Sequence, residues 1–179
     1  MIALALVLAA QPRPASSASP PTPLRTVEPV TLPVADVDRA AEFYARVLFF
    51  ERTAERPGWA GDARVRVIRM RLGEDTLDLV GDPLGRRAHQ PVAIVVNDLE
   101  QAYLWLQRQR VRVVSPAPRQ DWEAETGGVR SVRFSDPDGH ALALVQFPPG
   151  KGAPRWQRPT DRVFLGIDRS ATVVPSDAP

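Results

Sequence analysis

No nucleophile and base can be paired from the sequence of this chain. It has no cysteine and two histidines, His89 and His140, both in segments typical of loops or turns, so a Ser-His-Asp triad has little support. One acidic residue, Asp78, lies between the apolar residues Leu77 and Leu79. Apolar neighbours raise the pKa of a carboxyl group, so Asp78 is a candidate catalytic base. The alternative, which we favour, is an ion pair with a neighbouring arginine, since a buried ionised carboxylate needs a partner.

The composition indicates an ordinary globular domain. The chain has 179 residues, of which 44% are hydrophobic and 25% charged, which is enough to bury one sizeable core. The formal net charge is +2, and Arg13 and Arg25 precede the first predicted strand, so the remainder is close to neutral. Nucleic acid is therefore not an expected partner, because phosphate binding needs a concentrated basic face. The absence of cysteine excludes disulfides and thiolate chemistry.

Residues 1–26 are predicted to be a leader followed by a linker. Residues 2–10 form an unbroken apolar run that is too short to span a bilayer, and small residues follow up to Ala18. This pattern is typical of a secretory signal, which would make the protein secreted or periplasmic. No lysine or arginine precedes the run, so the alternative is a disordered leader or a wrongly chosen start codon, and a cytoplasmic protein. Residues 11–26 are rich in Pro, Ser and Ala, which favours a linker.

One stretch of the chain occurs twice. Residues 29–40 return as residues 91–102, at a constant offset of 62 residues. Each copy reads as a short apolar strand, an aspartate (Asp36 or Asp98) and a helix. The aspartate has a local role, because its carboxylate can accept hydrogen bonds from the first free N–H groups of a helix and lies at the positive end of the helix dipole. The repeat therefore indicates that one structural unit occurs twice.

Each unit is predicted to have the order βαβββ. In the first unit we expect a helix at residues 40–48, turns at Pro57-Gly58 and residues 73–75, and strands at residues 30–34, 50–55, 64–72 and 76–80. In the second unit we expect a helix at residues 99–108 and strands at residues 92–96, 111–114, 129–135 and 141–147. The last two strands flank Asp136-Pro137-Asp138-Gly139, a turn sequence in which the glycine takes the positive φ.

These residues carry a family resemblance. Val34-Ala35-Asp36 before a helix containing Phe43-Tyr44, together with residues 134–140 opening the last strand, resembles the vicinal oxygen chelate superfamily, which includes glyoxalase I, bleomycin resistance proteins and extradiol dioxygenases. The resemblance covers residues 27–148, with modules at residues 27–85 and 89–148. It implies an α+β fold of two βαβββ modules that form a partly closed mixed or antiparallel barrel, with helices outside and a ligand cavity inside. Phe49 departs from the family, which usually has a glycine there, so it must avoid or tolerate a left-handed turn at about 1 kcal/mol.

The resemblance also implies where a metal ion would bind. In metal-using members, a His on each module's first strand and a Glu on each module's last strand hold a divalent ion. The matching positions here are Pro29, Asp78, Pro91 and Ala143, of which only Asp78 has a donor atom. Since catalytic metal sites ordinarily need three protein ligands, we expect no metal and no other cofactor. A divalent ion (Fe, Mn, Ni or Zn) held through unexpected residues is the alternative.

Strand alternation predicts which residues line the cavity. Apolar residues of the neighbouring strands, such as Ile68 and Phe134, are expected on the helix side, which turns Arg69 and Arg71 toward the cavity. A pocket with small apolar residues, one Asp and an Arg would suit a small organic ligand with an anionic, aromatic or polar part. Alternatively, these arginines lie on an open sheet face and contact only water. The predicted cavity residues are Thr31, Asp78, Ala93, Val95, Ser131, Arg133 and Ala143.

Residues 149–179 are predicted to be a linker and an additional strand. Residues 163–174 resemble the first strand of a further module, with Arg169 at the position of a metal histidine. A lone strand has unpaired backbone groups, so we expect it to lie loosely outside the barrel, to pair with a second subunit in a homodimer, or to belong to a truncated tandem protein. The alternative is a disordered tail, because prolines are frequent. Trp156 and Phe164 favour docking onto another surface.

Three classes of function stay open. The first is a metal-free module that binds a small organic molecule, as the bleomycin resistance branch does. The second is an enzyme of the superfamily, a lyase, isomerase or dioxygenase, with an atypical or absent metal site. The third is a structural remnant of a tandem enzyme. Metal analysis of the purified protein separates the first two classes, and ligand-induced stabilisation would exclude the third.

Overall fold

The computed structural model describes residues 29–82, 84, 91–115, 118–120 and 128–169. The predictions about the leader, His89 and the chain beyond Arg169 lie outside the described residues. Within these ranges, neither helix has the length and apolar character required to cross a membrane.

The first module forms a four-stranded sheet covered by one helix. Its elements are β1 (Val30–Val34), α1 (Val37–Leu48), β2 (Glu51–Ala60), β3 (Ala63–Leu72) and β4 (Asp75–Gly81). The strand order is β1-β4-β3-β2, in which β1 and β4 are parallel and the other pairs antiparallel. The predicted βαβββ order is confirmed. The predicted turn at Pro57-Gly58 is wrong, because both residues lie within β2, an edge strand that tolerates proline, and the chain turns at Gly61 with φ 62°.

The second module repeats this arrangement and adds a strand. Its elements are β5 (Val92–Val96), α2 (Leu99–Arg108), β6 (Arg119–Gln120), β7 (Arg130–Ser135), β8 (Ala141–Gln146) and β9 (Phe164–Asp168). The strand order is β6-β7-β8-β5-β9. The strand expected at residues 111–114 is reduced to a single bridge between Val113 and Phe134, and β6 pairs with β7 instead. The predicted fold class, α+β with two βαβββ modules, is confirmed, and no ladder joins the two sheets among the described strands.

Both helices begin at the predicted aspartates. The Asp36 carboxylate accepts hydrogen bonds from the backbone N–H groups of Asp38 (3.0 Å) and Arg39 (3.1 Å). The Asp98 carboxylate accepts one from the N–H of Gln101 (2.8 Å). These contacts satisfy N–H groups that have no partner within the helix, so the helix starts are determined locally.

A single apolar core lies on the helix side of both sheets. The helix α1 packs on β3 and β4, and α2 packs on β7 and β8. The two halves are continuous, and the indole N–H of Trp105 on α2 donates a hydrogen bond to the carbonyl of Val47 on α1 (2.8 Å). Residues of both modules that are fully buried in this core include Leu32, Tyr44, Ile68, Met70, Leu77, Leu79, Ile94, Leu99, Leu106, Leu142 and Leu144.

The strand of the tail pairs within its own chain. The strand β9 runs antiparallel to β5, with Ile167 opposite Ile94, and covers an edge of β5 that would otherwise expose unpaired backbone groups. The backbone N–H of Ile167 also donates to the Asp75 carboxylate (3.0 Å), at the start of β4. The expectation that this strand lies loosely outside or pairs with a second subunit is therefore wrong. Whether the chain forms a homodimer stays a prediction.

Candidate functional site

Of the four positions that the resemblance assigns to metal ligands, Asp78 and Ala143 lie on the inner faces of the sheets, which are the faces opposite the helices. Asp78 on β4 is opposite Thr31 on β1, and Ala143 on β8 is opposite Ala93 on β5. The remaining two positions, Pro29 and Pro91, precede β1 and β5. No group of three or more His, Asp or Glu side chains that could hold a metal ion occurs in the described part of the chain.

Asp78 is held by two arginines. Its cross-strand neighbour Arg69 donates from Nε to Oδ1 (2.7 Å) and from Nη2 to Oδ2 (2.8 Å), and Arg56 on β2 donates from Nη2 to Oδ2 (2.9 Å). The hydrogen bonds from Arg69 are the main reason why the pKa of Asp78 is lowered, and they outweigh the effect of burial. The ion pairs that the sequence analysis favoured for this residue are present, and the lowered pKa is opposite to the rise that the catalytic-base alternative needs. That Asp78 has a catalytic role stays a prediction.

This arrangement does not fit a divalent metal ion. Both carboxylate oxygens of Asp78 accept hydrogen bonds from guanidinium groups. These groups supply the positive charge that a metal ion would supply, and they occupy the oxygens that would coordinate it. Proline and alanine at the other three positions have no side-chain donor atoms. The residues present therefore hold a carboxylate–arginine cluster where the family's metal-using members hold an ion.

The inner face of the second sheet is covered by the tail. Ala93, Val95 and Ala143, all predicted cavity residues, are 4%, 1% and 1% exposed and belong to a small apolar cluster separate from the main core. Three side chains from the end of β8 onward, Phe147, Trp156 and Leu165, pack against this cluster. Two further predicted cavity residues on β7, Ser131 and Arg133, are buried and half-buried, respectively. That these residues contact a ligand stays a prediction.

Asp75 ties the tail to the first module. The Arg155 side chain donates to Asp75 Oδ1 (3.1 Å), and it also lies over the Trp156 ring (4.6 Å), which stacks on Phe147 (5.4 Å between centroids). The β3–β4 turn packs directly against the backbone of β9. A Cβ on Gly73 (φ 59°) would lie 2.4 Å from the Leu165 carbonyl oxygen, so a larger residue would not fit there. Sequence reasoning missed Asp75, which reads only as a turn residue, because its partners come from the far end of the chain.

A buried polar cluster joins the two modules. In the β7–β8 turn, His140 Nδ1 lies 2.7 Å from Asp136 Oδ2, and the hydroxyl of Tyr44 on α1 donates to the same oxygen (3.1 Å). Burial acts most strongly and raises the pKa of Asp136, but the hydrogen bonds and the charge of His140, together with the hydrogen bond from Tyr44, leave that pKa lowered. The Asp136 carboxylate in turn raises the pKa of His140, against burial. The histidine, predicted to lie in a loop or turn, is 1% exposed and is paired with the buried carboxylate of Asp136.

A separate pocket of about 820 Å³ lies between the two modules. Its aromatic part consists of Phe49, Trp105 and Phe164. Of the residues that strand alternation turned toward the predicted cavity, Arg71 lines this pocket, whereas Thr31, Asp78, Ala93, Val95, Ser131, Arg133 and Ala143 do not. We call it the aromatic pocket, and its full lining is Phe49, Glu51, Arg71, Leu72, Gly73, Gln101, Trp105, Arg108, Arg162, Val163 and Phe164. The only sequence signal for it was the bulky residue at position 49.

The chain is similar to several solved structures over about two thirds of its length. It is 27% identical to SMU.1112c, with a TM-score of 0.54, and the match covers 68% of this chain and 98% of that one. It is 25% identical to TnmS3, an antibiotic binding protein from Streptomyces sp. CB03234, with a TM-score of 0.52 and coverage of 69% and 98%. A lactoylglutathione lyase from Agrobacterium tumefaciens, at 18% identity, TM-score 0.51 and coverage of 70% and 96%, shows the fold alone. No curated protein matches the chain.

A family model agrees with the structural likeness. The model described as the Glyoxalase/Bleomycin resistance protein/Dioxygenase superfamily matches residues 26–144, which run from before β1 into β8. The match spans well over half of the chain and includes the Asp136-Pro137-Asp138-Gly139 turn on which the resemblance was based. Since the match covers the first βαβββ module and the second one up to the middle of β8, the chain belongs to the glyoxalase, bleomycin resistance protein and dioxygenase superfamily.

Proposed function

We propose that this protein binds a small organic molecule without a divalent metal ion. The observation that carries the proposal is the Asp78 cluster, because the single metal position with a donor atom has both its oxygens bound by Arg69 and Arg56. A metal ion would have to displace two guanidinium groups and would then have one protein ligand, where at least three are ordinarily needed. Chemistry that depends on such an ion is therefore not part of the proposal.

The similarity to TnmS3 supports the binding part of the proposal. That protein is titled an antibiotic binding protein, and this chain matches 98% of its length. Binding needs only a shaped, partly apolar pocket with a few polar groups, whereas superfamily chemistry needs a reactive group held in place. Here the candidate catalytic residue, Asp78, is ionised and its carboxylate is bound by arginine side chains. The geometry therefore favours ligand binding over catalysis.

The inner face of the first sheet is more accessible to a ligand than the inner face of the second sheet. Thr31 is exposed and the Arg56 side chain is 51% exposed, whereas the tail covers Ala93, Val95 and Ala143. A ligand that enters from the inner side would therefore contact the first sheet and its guanidinium groups. Such a surface favours a ligand with an anionic or polar group.

Metal analysis combined with a stability screen tests the proposal. We expect purified protein to contain no stoichiometric Fe, Mn, Ni or Zn, and we expect a thermal-shift screen of aromatic and anionic compounds to identify at least one that raises the melting temperature. Asp78→Ala should leave the metal content unchanged, as should the control Asp62→Ala, which changes an exposed aspartate of the β2–β3 turn. Stoichiometric metal that is lost in Asp78→Ala and kept in Asp62→Ala would refute the metal-free part. A screen without any stabilising compound would refute the binding part.

A further inference from the structure

The aromatic pocket is built around a strained residue. Phe49 follows α1 with φ 60° and ψ 28°, the left-handed conformation that costs a non-glycine residue about 1–2 kcal/mol. The residue is nevertheless 52% exposed, so burial of apolar surface offsets only part of that cost. Glycine would adopt this backbone without strain. A strained, half-exposed aromatic residue that lines a pocket points to a role in binding rather than in folding.

The aromatic wall of the pocket is held in place by its neighbours. The Phe49 ring lies 5.3 Å from the Trp105 ring and 5.3 Å from the Phe164 ring, measured between centroids. The Trp105 indole is oriented by its hydrogen bond to the Val47 carbonyl, and Phe164 is 6% exposed within β9. These contacts preform the wall, and the pocket volume of about 820 Å³ lies within the usual range of about 300–1,000 Å³ for small-molecule sites.

The remaining wall has an excess of positive charge. Three arginines and one carboxylate, that of Glu51, line the pocket. Arg71 binds Glu51 through Nη2 (2.5 Å). The guanidinium groups of Arg108 and Arg162 form no salt bridge or side-chain hydrogen bond within the described part of the chain, although the charge of Arg162 also helps to keep Glu51 ionised. Both are exposed and can therefore bind an anion that enters the pocket.

We propose that the aromatic pocket binds a small planar aromatic carboxylate. The aromatic ring of the ligand packs against Phe49 and Trp105, where offset or edge-to-face contacts are favourable. Its carboxylate is bound by Arg108 and Arg162, whose planar guanidinium groups can each donate two parallel hydrogen bonds. The inference rests on the proposed function, to which it adds a site outside the inner faces and a class of ligand.

Isothermal titration calorimetry with 2-naphthoate tests this site. We compare it with 2-naphthamide, which keeps the rings but has no charge, and with cyclohexanecarboxylate, which keeps the charge but has no aromatic ring. The wild-type protein should bind 2-naphthoate most tightly, and the affinity should fall as salt is raised, because exposed charges are screened. Equal affinity for all three compounds, or no binding of 2-naphthoate at millimolar concentration, would overturn the inference.

Two variants locate the binding site. Phe49→Gly removes the ring without adding backbone strain, and it should weaken 2-naphthoate binding by about threefold to tenfold, which corresponds to one aromatic contact. The double variant Arg108→Ala/Arg162→Ala should weaken it by about tenfold or more, since charged hydrogen bonds are lost. Arg64→Ala is the matched control, because Arg64 is an exposed arginine on β3 about 20 Å along the strand from Arg71. Circular dichroism checks that each variant is folded.

The outcomes separate this inference from the proposed function. If a compound stabilises the wild type, Phe49→Gly and the double arginine variant equally, the protein binds ligands elsewhere, so the proposed function stands and the aromatic pocket is not its site. If no compound in the screen binds the wild type, the proposed function itself fails. A loss of 2-naphthoate binding in both pocket variants but not in Arg64→Ala would support both.

Discussion

Arg69 and Asp78 lie directly opposite each other on β3 and β4, and two N–H groups of the guanidinium donate to the two carboxylate oxygens at 2.7 and 2.8 Å. The arginine side chain is 36% exposed, whereas the aspartate side chain is 3% exposed. The carboxylate is therefore removed from water and depends on its arginines for compensation of its charge.

Removal of Arg69 should destabilise the protein, because Asp78 would keep a buried charge with Arg56 as its one remaining arginine partner. We expect Arg69→Ala to lower the free energy of unfolding by about 1–3 kcal/mol, measured by urea denaturation. The double variant Arg69→Ala/Asp78→Ala should lose less stability than the sum of the losses in the two single variants. Each single variant leaves one charged partner behind, whereas the double variant removes both. The control Arg64→Ala should change stability by less than about 0.5 kcal/mol. Additive losses in the double variant would contradict a direct interaction.

The Asp136–His140 pair predicts how stability depends on pH. The lowered pKa of Asp136 gives a contribution that is complete above the ordinary value of 3.8 and is lost as pH falls through the lowered value. The raised pKa of His140 gives a contribution that is complete below the ordinary value of 6.5 and is lost as pH rises through the raised value. The pair therefore contributes most between these two ordinary values.

Chemical denaturation of the wild type and of His140→Gln across pH 3 to 9 measures this dependence. On the alkaline side, the wild type should lose stability as the histidine deprotonates, and the variant should lack that slope because glutamine does not titrate. Asp138 also raises the pKa of His140, so Asp138→Asn should move the slope to lower pH without abolishing it. Wild-type stability that increases as the pH rises from acidic values to the ordinary histidine value of 6.5 and is then constant, with this increase absent in His140→Gln, would show that His140 is bound in its neutral form.

Removal of Trp156 should release the tail from the inner face of the second sheet. Its ring stacks on Phe147 and packs over the cluster that contains Val95. We expect Trp156→Ala to lower the free energy of unfolding by about 2 kcal/mol, less than the loss for a fully buried aromatic residue, because Trp156 is half-buried. Binding of an apolar fluorescent dye should increase, since apolar surface becomes accessible. Trp59→Ala, which changes a tryptophan that is 70% exposed, is the control and should have neither effect.

Substitution at Phe49 should separate backbone strain from ring contacts. Phe49→Gly removes the cost of the left-handed conformation together with the contacts to Trp105 and Phe164, so we expect stability within about 1 kcal/mol of the wild type. Phe49→Val loses the same ring contacts but places a β-branched residue at φ 60°, which is more strained. Thermal denaturation should therefore rank Phe49→Val below Phe49→Gly. The reverse order would mean that the left-handed conformation is not retained in solution.

Local chemistry explains why much of the fold could be predicted from the sequence. The helices begin at Asp36 and Asp98 because each carboxylate binds N–H groups two or three residues away, an interaction that needs no other part of the chain. The β7–β8 turn formed as predicted because Gly139 supplies the positive φ (81°). The ion pair of Asp78 was also foreseen, since alternation along β3 and β4 puts a charged arginine beside a charged aspartate.

The contacts between distant segments depended on the tertiary structure. Pro57 is compatible with either a turn or an edge strand, and only its pairing with Arg66 on β3 decided between them. Strand β9 pairs with β5 rather than with another subunit because the edge of β5 and the Asp75 carboxylate lie within its reach in the folded chain. The aromatic pocket combines the end of α1 and start of β2, the β3–β4 turn, helix α2 and the segment before β9, which are scattered along the sequence. The sequence by itself determined most of the helices and strands and the pairing of Asp78 with arginine. The covering of the second sheet's inner face and the aromatic pocket depend on packing between residues far apart in the chain, which no local pattern encodes.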